Sequence, residues 1–165
     1  MPASVIGKSL NLGYPGTVSR NDPRTFVMNR PTKTAVVPFG IPVKLNTDNT
    51  YSPITSDDSL AVFAGIALRN VKQQTIFASN AMGQYEIGDG CDVLEQGFVT
   101  ILTNTSNAVT AGGAVFATFN VDKSFLQFDS VTATGAIALT NCKFVTNVTD
   151  GNGITEIAIL TANKG

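Results

Sequence analysis

The sequence predicts an all-β fold: a compact β-barrel or β-sandwich of short, mostly antiparallel strands, with an extended N-terminal arm. Three observations carry this. From Ala35 onward, short β-rich runs alternate with Gly, Asn and Asp turns. No stretch sustains the period of a long amphipathic helix. The first 34 residues carry Pro2, Pro15, Pro23 and Pro31 and no lasting apolar period. Many short strands with frequent turns and no long helix point to a sandwich or small barrel. The expected organisation is an arm over residues 1–34 and a single β domain over 35–165.

Residues 36–45 form a β-rich run broken by Pro38 and Pro42. Proline cannot donate to a ladder, so this run belongs at an edge, a bulge or a corner. Asn46 to Asn49 is a turn cluster. Asp57 and Asp58 are suited to capping a one-turn helix. Leu60 to Leu68 is almost continuously apolar, as in a strand buried on both faces, and its central Gly65 suggests a close approach or a bend. Asn70 to Gln84 has no consistent period and is predicted as a long excursion.

After the turn at Gly88–Gly90, two runs follow, Cys91–Glu95 and Phe98–Leu102, separated by Gly97. In Ala114–Phe119 the residues Val115, Ala117 and Phe119 share one face. Phe125, Leu126 and Phe128 make a short run, then Ala136 to Leu139. Residues 142–147 and 154–160 flank Asp150-Gly151-Asn152-Gly153, whose turn residues predict a β-hairpin.

With 165 residues there is room for one domain with a substantial core. Charged residues make up only 14%, against about 25% in a typical chain. Few charges and a net charge of −1 favour association over mutual repulsion. A nucleic-acid binder would need a dense basic patch with interleaved aromatics, so nucleic acid is not an expected partner. No window approaches the eighteen or so apolar residues of a membrane span, and no secretory leader is visible. Cys91 and Cys142 are too few for a disulfide framework and are expected to be buried thiols of a chain folded in a reducing cytoplasm.

Little here points to catalysis. The chain has no histidine, which removes the commonest general base and metal ligand together with every Ser-His or Cys-His pair. Gly7-Lys8-Ser9 copies the end of a phosphate-binding loop, but Pro2 stands where its first glycine belongs. Glu86, Asp89, Asp92 and Glu95 offer oxygen ligands suited to calcium, although a solvated turn explains them as well. No enzyme activity and no cofactor are expected.

The arm remains. Through residue 45, Lys8, Arg20, Arg24, Arg30, Lys33 and Lys44 face Asp22 alone, a net +5 that leaves −6 for the rest of the chain. Leu12, Tyr14, Val18, Phe26, Val27 and Met28 lie among these charges. Fully stretched, residues 2–34 span on the order of 100 Å. Ordering them costs about 1–2 kcal/mol of backbone entropy per residue, so a segment with no core of its own is expected to find structure on another molecule. Arginine–carboxylate pairs and addition of arm backbone to a neighbour's sheet edge are the expected contacts.

The chain resembles the structural cement, or head decoration, proteins of tailed bacteriophages, the Gp24-like group. The resemblance begins at Gly13-Tyr14-Pro15-Gly16 with Arg20, then Asn29-Arg30-Pro31 and Phe39-Gly40-Ile41-Pro42-Val43. It is strongest from Phe63 to Gln73, passes through Tyr85 to Asp89 and Val93 to Val99, and ends at Leu139–Phe144 and Asp150–Leu160. Where typical members have Pro or Glu after the Gly-Asp turn, this chain has Gly90 and Cys91.

The resemblance implies a non-enzymatic virion protein, made in the host cytoplasm and placed on the outer surface of the capsid. Its partners would be the major capsid protein and further copies of itself, a dimer ahead of a trimer. Tyr14, Arg20, Arg24, Arg30, Lys33, Arg69 and Lys72 are the expected capsid contacts, with residues 70–84 as a second contact region. Two other readings stand beside this one: a receptor- or carbohydrate-binding β-module on a virion, and a tail or baseplate component.

Overall fold

The computed structural model describes residues 12–55, 58, 63–70, 83–104, 107–119, 126–132, 135–147 and 153–161. Eleven strands are seen among them. These are β1 (Phe26–Pro31), β2 (Val37–Pro38), β3 (Pro42–Leu45), β4 (Tyr51–Pro53), β5 (Phe63–Ala67) and β6 (Gln84–Tyr85), then β7 (Gly90–Leu102), β8 (Ala114–Phe119), β9 (Leu126–Asp129), β10 (Ile137–Phe144) and β11 (Ile154–Ile159). The main sheet runs β4-β3-β5-β7-β11-β10-β8-β9, with β1 also paired to β7 and with β2–β6 as a separate ribbon. All these strand pairings are antiparallel.

The sheet curls at both ends. A parallel bridge from Thr32 to Tyr51 brings the chain after β1 to β4, and another from Thr103 to Phe128 brings the end of β7 to β9. The backbone amides of Lys33 and Asn104 seal these junctions by donating to the Tyr51 and Phe128 carbonyls. The result is an all-β curled half-barrel, the predicted fold class. Curling also leaves less open edge for unwanted pairing.

β7 is the axis of the fold. Its first half pairs with β1 and β5, and its second half with β11. One hydrophobic cluster gathers Val37, Val43, Tyr51, Tyr85, Cys91 and Val93. The other gathers Phe63, Ile66, Leu94, Val99, Ile101, Phe128, Phe144 and Ile157. Leu94 and Val99 belong to the same cluster although they are five residues apart, which strict alternation along a strand does not allow. The register explains it: Phe26 pairs with Gln96 and Val27 with Leu94, so Glu95 is skipped, and Gly97 follows at φ +130°. Such an insertion turns the later side chains over and bends the strand. The two runs predicted on either side of Gly97 are therefore one strand with a kink.

Several predicted elements are seen. All five residues of β5 are buried, and a Cβ on Gly65 would come within 2.2 Å of the Leu94 carbonyl oxygen, so side-chain volume is excluded there. Pro42 opens β3, whose pairing with β5 is irregular between Val43 and Lys44, as the prolines required. β10 and β11 form the predicted hairpin, while residues 150–152 of its turn lie outside the described residues. Asp57 and most of the excursion, residues 71–82, also lie outside them. Both cysteines are buried thiols. Burial pushes the Cys142 thiol up to about 12, which leaves it unreactive at neutral pH.

Candidate functional site

The arm is extended, but over residues 12–34 it lies on its own chain. This corrects the expectation that the segment finds structure only on another molecule. β1 pairs along β7 from Gln96 to Gly90, and Val18 bridges Val99 on the second half of the same strand. Gly16 N–H donates to the Thr100 carbonyl at 2.7 Å, Thr100 N–H to Thr17 at 2.9 Å and Ser19 N–H to Phe98 at 3.1 Å. Between the two paired stretches, Thr25 lies against Gly97, with its Cα 3.4 Å from where a Cβ on that glycine would sit. Backbone ladders need no apolar period in the arm, so composition gave no sign of them.

The predicted contact residues are spread along this strap. Arg20 makes a two-pronged pair with Glu156, Nε to Oε1 at 2.7 Å and Nη2 to Oε2 at 2.8 Å, while Ser19 Oγ donates to Oε1 at 2.6 Å. The Glu156 side chain is 8% exposed and that of Arg20 53%. Burial pushes the Glu156 carboxyl up, but the Arg20 and Ser19 hydrogen bonds and the guanidinium charge outweigh it, and the net shift is downward. The Arg20 guanidinium also sits 5.2 Å from the centre of the Phe98 ring.

Arg24 closes on Asp22 through Nε at 3.0 Å, Nη2 at 2.9 Å and its own backbone N–H at 2.8 Å. Those side-chain and backbone bonds hold the Asp22 carboxyl at about 2. Lys33 pairs with Asp48 and lowers its pKa. Arg30 is half-buried over the Tyr51 ring, and its Nε has no hydrogen-bond partner among the described residues. The Tyr51 hydroxyl donates to Glu95 at 3.0 Å, and burial, then the Glu95 charge, raise its pKa.

Tyr14 is exposed, with the Arg69 guanidinium 4.0 Å from its ring centre. Arg69 N–H donates to the Gly16 carbonyl at 2.7 Å, so the two are tied through backbone as well. Lys72 lies outside the described residues. Each described cation among the expected contacts therefore has a carboxylate or an aromatic ring of its own chain beside it. The Arg24 and Lys33 side chains face outward even so, being 68% and 62% exposed.

Glu156, Thr100 and Gly97 complete the strap and were not among the contact residues expected from the sequence. Glu156 had one signal, a lone carboxylate inside the apolar strand Ile154–Ile159. Thr100 and Gly97 had none, because their contacts lie more than 70 residues away along the chain. The acidic stretch forms a turn: Glu86 N–H donates to Asp89 Oδ2 at 2.9 Å, and Asn29 Nδ2 donates to Asp92 at 2.7 Å. Among the described residues, no group of three or more acidic or cysteine side chains gathers to hold a metal ion.

Comparison with known proteins gives two similarities. The family model described as Structural cement protein (E217 gp24/Pam3 gp6) matches residues 1–160. A solved chain from the capsid of Myoviridae phage XM1 shares the fold, with a TM-score of 0.73 at 20% identity over 94% of each chain. None of the curated proteins matches.

Proposed function

This chain belongs to the phage structural cement protein family, and from that premise we propose that it binds the outer surface of the major capsid protein lattice and stabilises the head by bridging neighbouring subunits. The observation that carries the proposal is a family match spanning the arm and the body together. The strap supports it physically. Its backbone bonds are satisfied on β7, so most side chains from Gly13 to Asn29 point to solvent. Ordering the arm in the free protein lowers the entropy lost when it binds, which a loose tail would forfeit.

In this reading Tyr14, Arg20, Arg24, Arg30, Lys33 and Arg69 present cations and one aromatic ring to carboxylates of the shell, and Lys72, outside the described residues, is a further proposed contact. Each guanidinium keeps donors for a second carboxylate after pairing in its own chain. A contact of ordinary size, about 1,600 Å² in total, suffices per copy. Repetition over a lattice then makes loss of the layer improbable. Further copies of the chain are the second proposed partner, and the outer face of the virion is the proposed location.

The test is binding of the purified protein to undecorated heads. Wild type should bind at saturable sites, and the triple variant R24A/K33A/R69A should lose at least tenfold in affinity while keeping its circular dichroism spectrum. Unchanged binding by the triple variant removes these residues from the contact. No binding by wild type overturns the proposed function.

A further inference from the structure

We propose that residues 14–20 form an exchangeable strand, and that the seat on β7 and Glu156 accepts the same segment from a second copy of the chain. The seat is made of the Phe98 and Thr100 backbone together with the buried Glu156 carboxylate. Withdrawing the segment exposes a sheet edge and leaves that carboxylate without Arg20 and Ser19, so the open seat is costly and short-lived. The seat therefore calls for an occupant. A second copy supplies the right one, since its own Ser19 and Arg20 provide the same three hydrogen bonds to Glu156.

The connection permits exchange. No residue from 12 to 27 belongs to either hydrophobic cluster, so lifting the segment leaves both clusters intact and frees the buried Gly16 from the Arg69 and Gly40 backbone, contacts that a second copy's Gly16 would remake. The link to β1, residues 21–25, is held mainly by its own turn, in which Thr25 N–H donates to Asp22 and Arg24 closes on the same carboxylate. Opened out, these five residues span about 17 Å. That length requires the acceptor's β7 to lie close to the donor's Phe26. Phe26 pairs with Gln96, and Gln96 Nε2 donates to the Leu160 carbonyl, so the exposed Phe26 and Leu160 flank the same point of β7. Two copies related by a two-fold axis there cover both apolar side chains and exchange segments reciprocally, at little cost because every bond broken is remade.

The consequence for a shell, copies tied to one another by shared strands, rests on the cement reading. The exchange itself does not, and is measured on the isolated protein. Val18 and Val99 form a non-hydrogen-bonded antiparallel pair, flanked by the Thr100–Thr17 and Ser19–Phe98 bonds. Such a pair brings Cα atoms to about 4.5 Å, within disulfide range.

Full-length V18C carrying one tag and full-length V99C carrying another are mixed, equilibrated and oxidised. The expected product is a covalent dimer joining the two different chains. Its yield should rise roughly tenfold per tenfold in concentration until the protein reaches the order of millimolar, where copies compete with the tethered segment. A mixture that gives no mixed dimer at any concentration, while V18C/V99C in one chain closes internally, overturns the proposal.

A second measurement is independent of these cysteines. Labelled and unlabelled unmodified protein mixed at high concentration should give a mixed dimer by native mass spectrometry. S19A/R20A removes the same bonds from closed monomer and exchanged dimer alike, so it should speed formation of that dimer at least tenfold while leaving its final yield nearly unchanged; mixing at an unchanged rate counts against exchange. A mixed dimer from a protein that does not bind heads leaves exchange standing and removes the cement function. Head binding without a mixed dimer does the reverse.

Discussion

β1 and β5 lie on opposite edges of β7, where Val93 pairs with Met28 on one side and Ala67 on the other, and they are held in different ways. All five residues of β5 are buried, whereas no residue of β1 is. β5 is fixed by apolar side chains, at about 1.5–3 kcal/mol for each large one fully buried. β1, and the strap before it, are fixed by backbone ladders, ion pairs and the turn over Gly97. Equal pairing therefore conceals unequal stability: β5 shares the fate of the core, while the strap can open locally.

The largest effect should come from the β5 side. Ile66→Ala removes a fully buried side chain from the larger cluster and should cost about 2–5 kcal/mol, lowering the melting temperature of the whole protein. A loss confined to the arm would break the comparison.

Gly97→Ala places a side chain at φ +130° against Thr25 and should cost about 1–3 kcal/mol. Hydrogen exchange should quicken at residues 16–19 and 26–31 while Leu139 and Ile157 stay protected. Arg20→Ala should cost less, about 1–2 kcal/mol, because solvent reaches half of the Arg20 side chain even though Glu156 is buried. Its readout is faster proteolytic cutting within residues 12–25.

Acid should sharpen the contrast further. The folded pKa of Glu156 lies below its ordinary 4.5, so its contribution is complete above that value and disappears as pH falls through the folded pKa. Asp22 behaves likewise, down to about 2. Arm amides should therefore lose protection below about pH 4.5, before the cores do. Smallest of all, Val27→Thr on exposed β1 should change stability by no more than about 0.5 kcal/mol.

The sequence disclosed what side chains record. Continuous apolarity marked β5, Pro42 marked the start of the irregular β3, and the flanking runs marked the β10–β11 hairpin. It concealed what backbone does. Prolines and exposed charges in residues 12–34 suggested a segment without support, because a ladder to β7 leaves no trace in composition. Gly97 looked like a break between strands, since a bulge and a turn use the same residue type. Arg20 and Lys33 were visible as cations, but their carboxylates, Glu156 and Asp48, became neighbours only through folding.

β7 sends Cys91 and Val93 into one cluster and Leu94, Val99 and Ile101 into the other. Neither lobe of the protein owns that strand, so neither can melt and leave its neighbour intact. Heating should give a single cooperative transition for the cores. Tension between the lobes would likewise run through covalent backbone rather than across a seam that could part.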